Sequence, residues 1–413
     1  MSGDVADLER EADALPDGWR SYRLGEVATL SGGTTPSRAE PAFWENAAIS
    51  WATPSDITSL PVGVSRIADT ETKVSDRSLA ECSLTLNPPG TVLMTSRATI
   101  GFVAVNDVPM ATNQGFITFR AGDGLDAYFL LYWLTAQRSN LVAAAGGSTF
   151  KELSRGTAKL LPILLPPLDE QRRIAEVLRS VDEAIAAQSV LCSHLRQTTD
   201  DLADELFARE ISECADSVTA YGEACETVQV GIVVKPASYY VDDGGVPALR
   251  STNIRRNQIE FSGLVQLSPE GHEFNRKSSL RAGDVVTIRT GEPGKTAVIP
   301  HDAPSPLNCI DVIFSRPKPH LRPHFAAYFI NSSTARRQIL GAQGGLAQQH
   351  FNVGEMKKLK LPVPDLARQD RLIEVLDAAW WPVRVEEAQL AALQSTKAGL
   401  MPTLLSGRVR VPA

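Results

Sequence analysis

Residues 166–206 carry the longest helical signature in the chain. They open Pro166-Pro167-Leu168-Asp169-Glu170-Gln171-Arg172-Arg173-Ile174, and no proline or glycine follows before Leu206. Ile174, Leu178, Val181, Ile185, Gln188, Cys192, Leu195, Thr199, Leu202 and Leu206 recur in steps of four and three. That spacing is an a/d heptad seam, and Gln188 and Thr199 are its polar members. A helix of about 38 residues rises about 57 Å, more than a small domain is wide. A narrow apolar stripe on such a rod needs a second rod.

The chain supplies that rod 198 residues later. Gln171, Arg173, Glu176, Val177 and Leu178 meet Gln369, Arg371, Glu374, Val375 and Leu376. The seam meets Leu372, Leu376, Ala379, Val383, Glu386, Leu390, Leu393, Lys397, Leu400 and Leu404, and the polar breaks again coincide. Upstream, Gly146-Gly147 meets Gly344-Gly345, and Leu24-Gly25-Glu26 resembles Tyr221-Gly222-Glu223. A period this long marks a duplicated module, not a solenoid. Each module is a globular region of about 150 residues and one long helix.

Between the helices the pattern is strand-like and punctuated by Gly and Pro. The first region offers Ile49–Ala52 and strands within residues 90–95, 101–105 and 115–119, then a helix over 127–145. The second offers 246–249, 284–288, 296–299 and 310–314, then a helix over 323–341. The expected fold is α+β. Two mixed α/β globular domains are separated by an antiparallel pair of long coiled-coil helices, with internal pseudo-two-fold duplication. The boundaries are an acidic lead at 1–14, globular regions at 15–168 and 218–365, and spacer helices with their tails at 169–217 and 366–413.

The formal net charge is −7, which is unusual for a nucleic-acid binder. The acidity is uneven: residues 169–217 hold five basic and twelve acidic residues, residues 218–365 seventeen and thirteen. A phosphate-facing surface is therefore compatible with the globular regions. No apolar run reaches the roughly 18 residues of a membrane span. The N-terminus lacks a signal peptide's basic start and apolar middle. Five scattered cysteines without a Cys-x-x-Cys pair read as reduced thiols, so a cytoplasmic location is expected.

Catalytic motifs are not visible. Residues 289–296 (Arg-Thr-Gly-Glu-Pro-Gly-Lys-Thr) resemble a phosphate loop, but the first Gly is Arg289 and the prolines that follow preclude a helix. A turn between two strands is the better reading, with Arg289 and Lys295 projecting. Asn87-Pro88-Pro89-Gly90 lacks the aromatic residue of the amino-methyltransferase tetrapeptide and reads as a turn into the next strand. His320 and His324 have helical spacing, but Pro319 and Pro323 interrupt them and no third ligand is near, so no metal is expected.

Polar loops beside the strands carry the remaining chemistry. In the first region these supply Thr34, Ser37, Arg38, Ser55, Ser96, Arg97, Thr99, Asn113, Gln114 and Lys151. The second region supplies Arg250, Thr252, Asn253, Arg255, Arg289, Thr290, Lys295, Gln348, Gln349 and His350. Arg, Asn and Gln make bidentate contacts to guanine or adenine in the major groove. Each residue alone reads more readily as a solvated turn or a strand-end cap. Recurrence of the chemistry in both copies favours a shared role.

The pattern resembles the DNA-specificity subunit of type I restriction-modification systems. The resemblance rests on Leu161 through Ile174 with the helix behind it, on Leu15-Pro16-Asp17-Gly18-Trp19 followed by Leu24-Gly25-Glu26-Val27, and on the ending Leu404-Leu405-Ser406-Gly407-Arg408. It implies two target-recognition domains, each reading half of a bipartite, asymmetric site in double-stranded DNA. It implies that two methyltransferase subunits and restriction-motor subunits join the chain. The helical positions Glu170, Gln171, Ile174, Leu178, Ile185, Leu195, Leu202, Leu206, Gln369, Leu372, Leu376, Leu390, Leu393, Leu400 and Leu404 then serve the spacer and partner docking. S-adenosylmethionine, ATP and Mg belong to the partners, with no cofactor, metal or catalytic residue in this chain. The alternative is a coiled-coil protein adaptor without DNA sequence recognition. Two departures stand out: Arg368 replaces the acidic residue before Gln, and Pro382 is expected to kink or break the second helix.

Overall fold

Apolar runs bounded by turns fold as strands in both copies. The computed structural model describes residues 16–147, 151–213, 215–341 and 351–411. The acidic lead and Gly344-Gly345 lie outside these. The packing divides the chain into two units, one of the residues to Leu191 and from Glu386 onward, the other Cys192–Val385.

In the first unit, Val92–Thr95 is buried on both faces at the centre of a five-stranded sheet. Phe116–Ala121 and Val103–Asn106 flank it antiparallel, and Ala28–Gly32 and Arg66–Ile67 form the edges. A three-stranded sheet places Ile49–Ala52 parallel to Met110–Thr112. The second unit repeats the plan. Val285–Ile288 sits between Val312–Pro317 and Thr296–Val298, with Cys225–Val230 outermost. Val246–Leu249 runs parallel to Leu307–Cys309 in a second sheet.

The packing helices expected over 127–145 and 323–341 are each broken once, into Ala127–Ala136 and Arg138–Ala144, and into Pro323–Asn331 and Ser333–Gly341. Ser332 explains the second break. Its hydroxyl donates to the Phe329 carbonyl (2.6 Å) and accepts from the Ala335 amide (3.3 Å), closing one helix and capping the next. Two short helices, Arg155–Leu160 and Val353–Lys358, carry no strong periodicity in the sequence. They explain the repeated Gly of Leu24-Gly25-Glu26 and Tyr221-Gly222-Glu223. A Cβ at Gly25 would lie 3.1 Å from the Lys159 Cβ, and one at Gly222 would lie 3.0 Å from that of Lys357.

The long helices are Leu168–Glu213 and Leu366–Leu405. They pair antiparallel inside each unit. In the first, Gln188 Nε2 donates to the Glu386 carboxylate (2.6 Å) and Lys397 Nζ to Asp182 (2.5 Å). In the second, Thr199 Oγ1 donates to the Ala379 carbonyl (3.2 Å). Each polar break in the seam is thus hydrogen-bonded across the pair, Gln188 and Glu386 to each other, Thr199 and Lys397 to other residues of the facing helix.

Two expectations are corrected. In the last turns of the first helix the buried positions are Ala203 and Phe207, while Leu202 and Leu206 are half-buried beside them. A straight helix turns every 3.6 residues, so a strict heptad drifts off the contact line. Leu195, Leu390, Leu393 and Leu400 are also half-buried, whereas Ile174, Leu178, Ile185, Leu372, Leu376 and Leu404 are buried. The second helix runs unbroken through Pro382. Pro382 and Ala378, the residue whose carbonyl loses its hydrogen-bond donor, are both exposed, so the freed carbonyl is not stranded in the core.

Gln171 and Gln369 fix how each helix begins. Gln171 is buried; its Nε2 donates to the carbonyls of Gly124 (3.0 Å) and Pro166 (2.9 Å), and its Oε1 accepts from the Asp126 amide (2.9 Å). Gln369 donates to the carbonyls of His320 (2.8 Å) and Pro364 (2.7 Å) and accepts from the Arg322 amide (2.8 Å). One side chain thereby joins the packing helix, the last strand and the long helix. Gln171→Ala should cost about 2 kcal/mol, chiefly from orphaning the Asp126 amide. Urea unfolding of the variant measures this, and a loss within a few tenths of a kcal/mol would contradict the role.

Candidate nucleic-acid interface

The polar loops of the first unit are joined into one cluster. The Thr34 amide donates to the Thr112 carbonyl (3.0 Å), and Thr35 Oγ1 bonds Gln114 Oε1. A Cβ at Gly115 would lie 3.1 Å from Pro54 Cγ; its amide donates to Asn113 Oδ1 (2.8 Å), and its carbonyl accepts from the Ser96 amide (2.7 Å). The Ser96 carbonyl in turn accepts from the Leu153 amide (3.0 Å). The loops after the strands Ile49–Ala52, Val92–Thr95 and Met110–Thr112 therefore meet the loop around residues 33–38 and the segment 151–153. Ser55, Ser96, Arg97, Thr99, Asn113, Gln114 and Lys151 all stand on these segments, as do Thr34, Ser37 and Arg38.

Roles within the cluster differ. Ser96 is buried and Asn113 is tied into its own turn. Ser55 Oγ bonds Thr53 Oγ1 (2.7 Å) at a helix start. The Thr99 amide donates to the Arg97 carbonyl (2.6 Å) across Ala98, whose φ is +56°. Arg97 Nε pairs with Glu152 (2.9 Å). Lys151 is exposed beside it. Arg38 is exposed and lies over Trp44, its Cζ 3.8 Å from the ring centroid.

The second unit places its residues after the equivalent strands. Arg250, Thr252, Asn253 and Arg255 follow Val246–Leu249, and Arg289 and Thr290 follow Val285–Ile288. The Phe351 amide donates to the Arg289 carbonyl (3.0 Å), matching Leu153 on Ser96. Asp311, after Leu307–Cys309, receives Arg289 (3.2 Å) and the Thr290 hydroxyl (3.0 Å). Arg255 pairs with Glu260 (3.3 Å) and Lys295 with Glu292 (2.6 Å). The Lys295 ammonium holds the Glu292 carboxyl below the ordinary carboxylate range. Asn253 is buried and its Nδ2 ties the carbonyls of Glu260 (3.2 Å) and Ser262 (3.1 Å). Among the described residues the Nε atoms of Arg250 and Arg289 are buried without a hydrogen bond. The segment 289–295 is the turn of an antiparallel hairpin. Gln348, Gln349 and His350 lie outside the described residues.

The Arg97–Glu152 and Arg255–Glu260 pairs are exposed, and such pairs contribute little to stability, so their cations are available to an anionic partner. The loops combine such cations with amide and hydroxyl side chains, the groups that contact phosphates and base edges. The sequence reading missed Trp44, Trp51, Glu152 and Asp311. The tryptophans stand close to Arg38 in sequence. The acids are isolated, and their pairing depends on the fold.

Residues 16–189 match the family described as type I restriction modification DNA specificity domain. The similarity to type I restriction-modification specificity subunits extends beyond that stretch, along nearly the whole chain. It is 24% identical to the MjaIX specificity subunit of Methanocaldococcus jannaschii over 98% of this chain and 96% of that one. It is 26% identical to the EcoR124I/EcoR124II specificity subunit of Escherichia coli over 40% of each. The S subunit of a type I system from M. genitalium shares the fold, with a TM-score of 0.54 at 16% identity over 95% of this chain and 97% of that one. The polar loops are the surface of this chain at which a DNA-recognition role is to be looked for. No helix among the described residues is long and apolar enough to cross a membrane.

Proposed function

We propose that this chain is a specificity subunit that reads a bipartite, asymmetric site in double-stranded DNA, one half with each globular region, and directs partner adenine methyltransferase and restriction subunits to it. One observation carries the reading: equivalent loops on a duplicated framework bear different side chains. Ser96-Arg97 stands where the second copy has Arg289-Thr290, and Asn113-Gln114 where it has Ile310-Asp311. A shared scaffold with unlike reading groups suits two different half-sites.

The recognition regions are residues 15–168 and 218–365, and the helices of 169–217 and 366–413 set the spacing between half-sites. Two methyltransferase subunits dock on these helices and restriction-motor subunits complete the complex, in the cytoplasm. S-adenosylmethionine, ATP and Mg are held by those partners. Ile174, Leu178 and Leu376 are wholly buried, so docking uses the outer faces of the helices.

A genome-wide map of N6-methyladenine, with and without the gene, tests the reading. The expected result is one split motif that disappears on deletion. An unchanged map would favour the protein adaptor. Seven residues inserted in each long helix add about 10 Å, or about 3 base pairs, to the spacer of that motif. An unaltered spacer would exclude the helices as its determinant.

A further inference from the structure

Resting on that reading, we infer that Arg38, held on a tryptophan platform, reads the major-groove edge of a guanine in the half-site of the first unit. The platform is built from residues near in sequence. Trp44 Nε1 donates to the Ser37 carbonyl (2.9 Å), which folds the loop back beneath Arg38. Trp51 Nε1 donates to the Thr34 carbonyl (3.0 Å), and the two indoles meet edge to face with centroids 5.3 Å apart. The Arg38 Cζ lies 3.8 Å from the Trp44 centroid and 5.8 Å from that of Trp51. The side chain remains exposed on this platform, so the donors of its planar fork are open to a partner.

Its cationic neighbours in the cluster lack one of its two features: Lys151 is exposed but has no planar fork, and Arg97 must first leave a carboxylate. Arg97 is paired with Glu152, a carboxylate that repels phosphate. Arg38 has no ion pair among the described residues. Three residues before it, Thr35 bonds Gln114, which ties the platform loop to the loop after Met110–Thr112. An arginine already oriented, with no carboxylate to leave, loses little freedom on binding. Guanine offers the O6 and N7 acceptors that match its fork.

The test uses the complex of this chain with the methyltransferase subunits of its own system and duplexes carrying the mapped motif. Each guanine of the motif is replaced in turn by 7-deazaguanine, which lacks the N7 acceptor. At one position the substitution should weaken binding by the unaltered complex about tenfold to a hundredfold. It should have no further effect on R38A at that position. R38K keeps the charge and loses the fork, so it should lose the same discrimination while keeping the salt dependence of binding. Discrimination retained by R38K would overturn the inference. So would an equal 7-deazaguanine effect in R38A and the unaltered complex. An even loss across sequences with a shallower salt slope in R38A would make the residue a phosphate contact. Absence of any gene-dependent motif would instead overturn the recognition reading itself.

Discussion

Lys397→Met should destabilise the first unit by about 3–5 kcal/mol, because it strands a buried carboxylate. Asp182 is 3% exposed and has two partners, Lys397 Nζ at 2.5 Å and the Tyr132 hydroxyl at 2.8 Å. Tyr132 is fully buried, and the ammonium also lies 5.3 Å from its ring centroid. Burial, with the Asp182 carboxylate adding to it, pushes the Tyr132 hydroxyl well above its ordinary range, so it stays a donor. One neutral donor does not replace an ammonium in a site with little water. The triple change Asp182→Leu, Lys397→Met, Tyr132→Phe removes every member of the network and should recover most of the loss. Urea unfolding of the two variants reads the difference. A Lys397→Met loss under 1 kcal/mol would show that water reaches Asp182. The polar break at Lys397 is therefore a register device: only one antiparallel alignment brings it to Asp182.

That pair shows what a seam reading captures and what it misses. The recurrence of Gln188 and Thr199 at Glu386 and Lys397 was legible, and with it the partner helix. Asp182 was not, because a heptad grid places Val181 on the contact line. The actual helix turns far enough to bury its neighbour instead, just as it buries Ala203 and Phe207 beside Leu202 and Leu206. Strand cores such as Val92-Leu93-Met94 were plain from their apolar runs. The loop residues were legible by type alone. Their partners, Glu152 for Arg97 and Asp311 for Arg289, are brought in by strand order, which composition and local pattern do not encode. Trp44 was missed as well, although no long-range order is needed to bring it to Arg38. Six residues apart on a tight turn, they meet through local geometry.

Arg368→Glu should cost about 3–5 kcal/mol by setting a carboxylate against the buried Glu210. The substitution restores the acidic residue that stands before the glutamine in the first copy, so a reading by motif alone would predict improvement. The structure predicts the reverse. In the first unit Glu170 is buried and receives Arg410 through Nε (2.6 Å) and NH2 (2.8 Å). In the second unit the polarity is inverted. Arg368 donates through Nε to Glu210 (2.8 Å) and through NH2 to Glu213 (2.6 Å). Both copies thus close the start of one long helix onto the far end of the other with an ion pair, and they exchange which side carries the acid. The apparent departure at Arg368 is compensated at Glu210. Combining Arg368→Glu with Glu210→Arg should recover most of the stability, and the coupling between the two changes measures the pair. Simple additivity of the two single losses would show that each carboxylate and guanidinium is satisfied independently. Recovery would establish that the helix start needs a charge pair of either polarity, and would explain how the two halves of a duplicated chain diverge there without losing the helix contact.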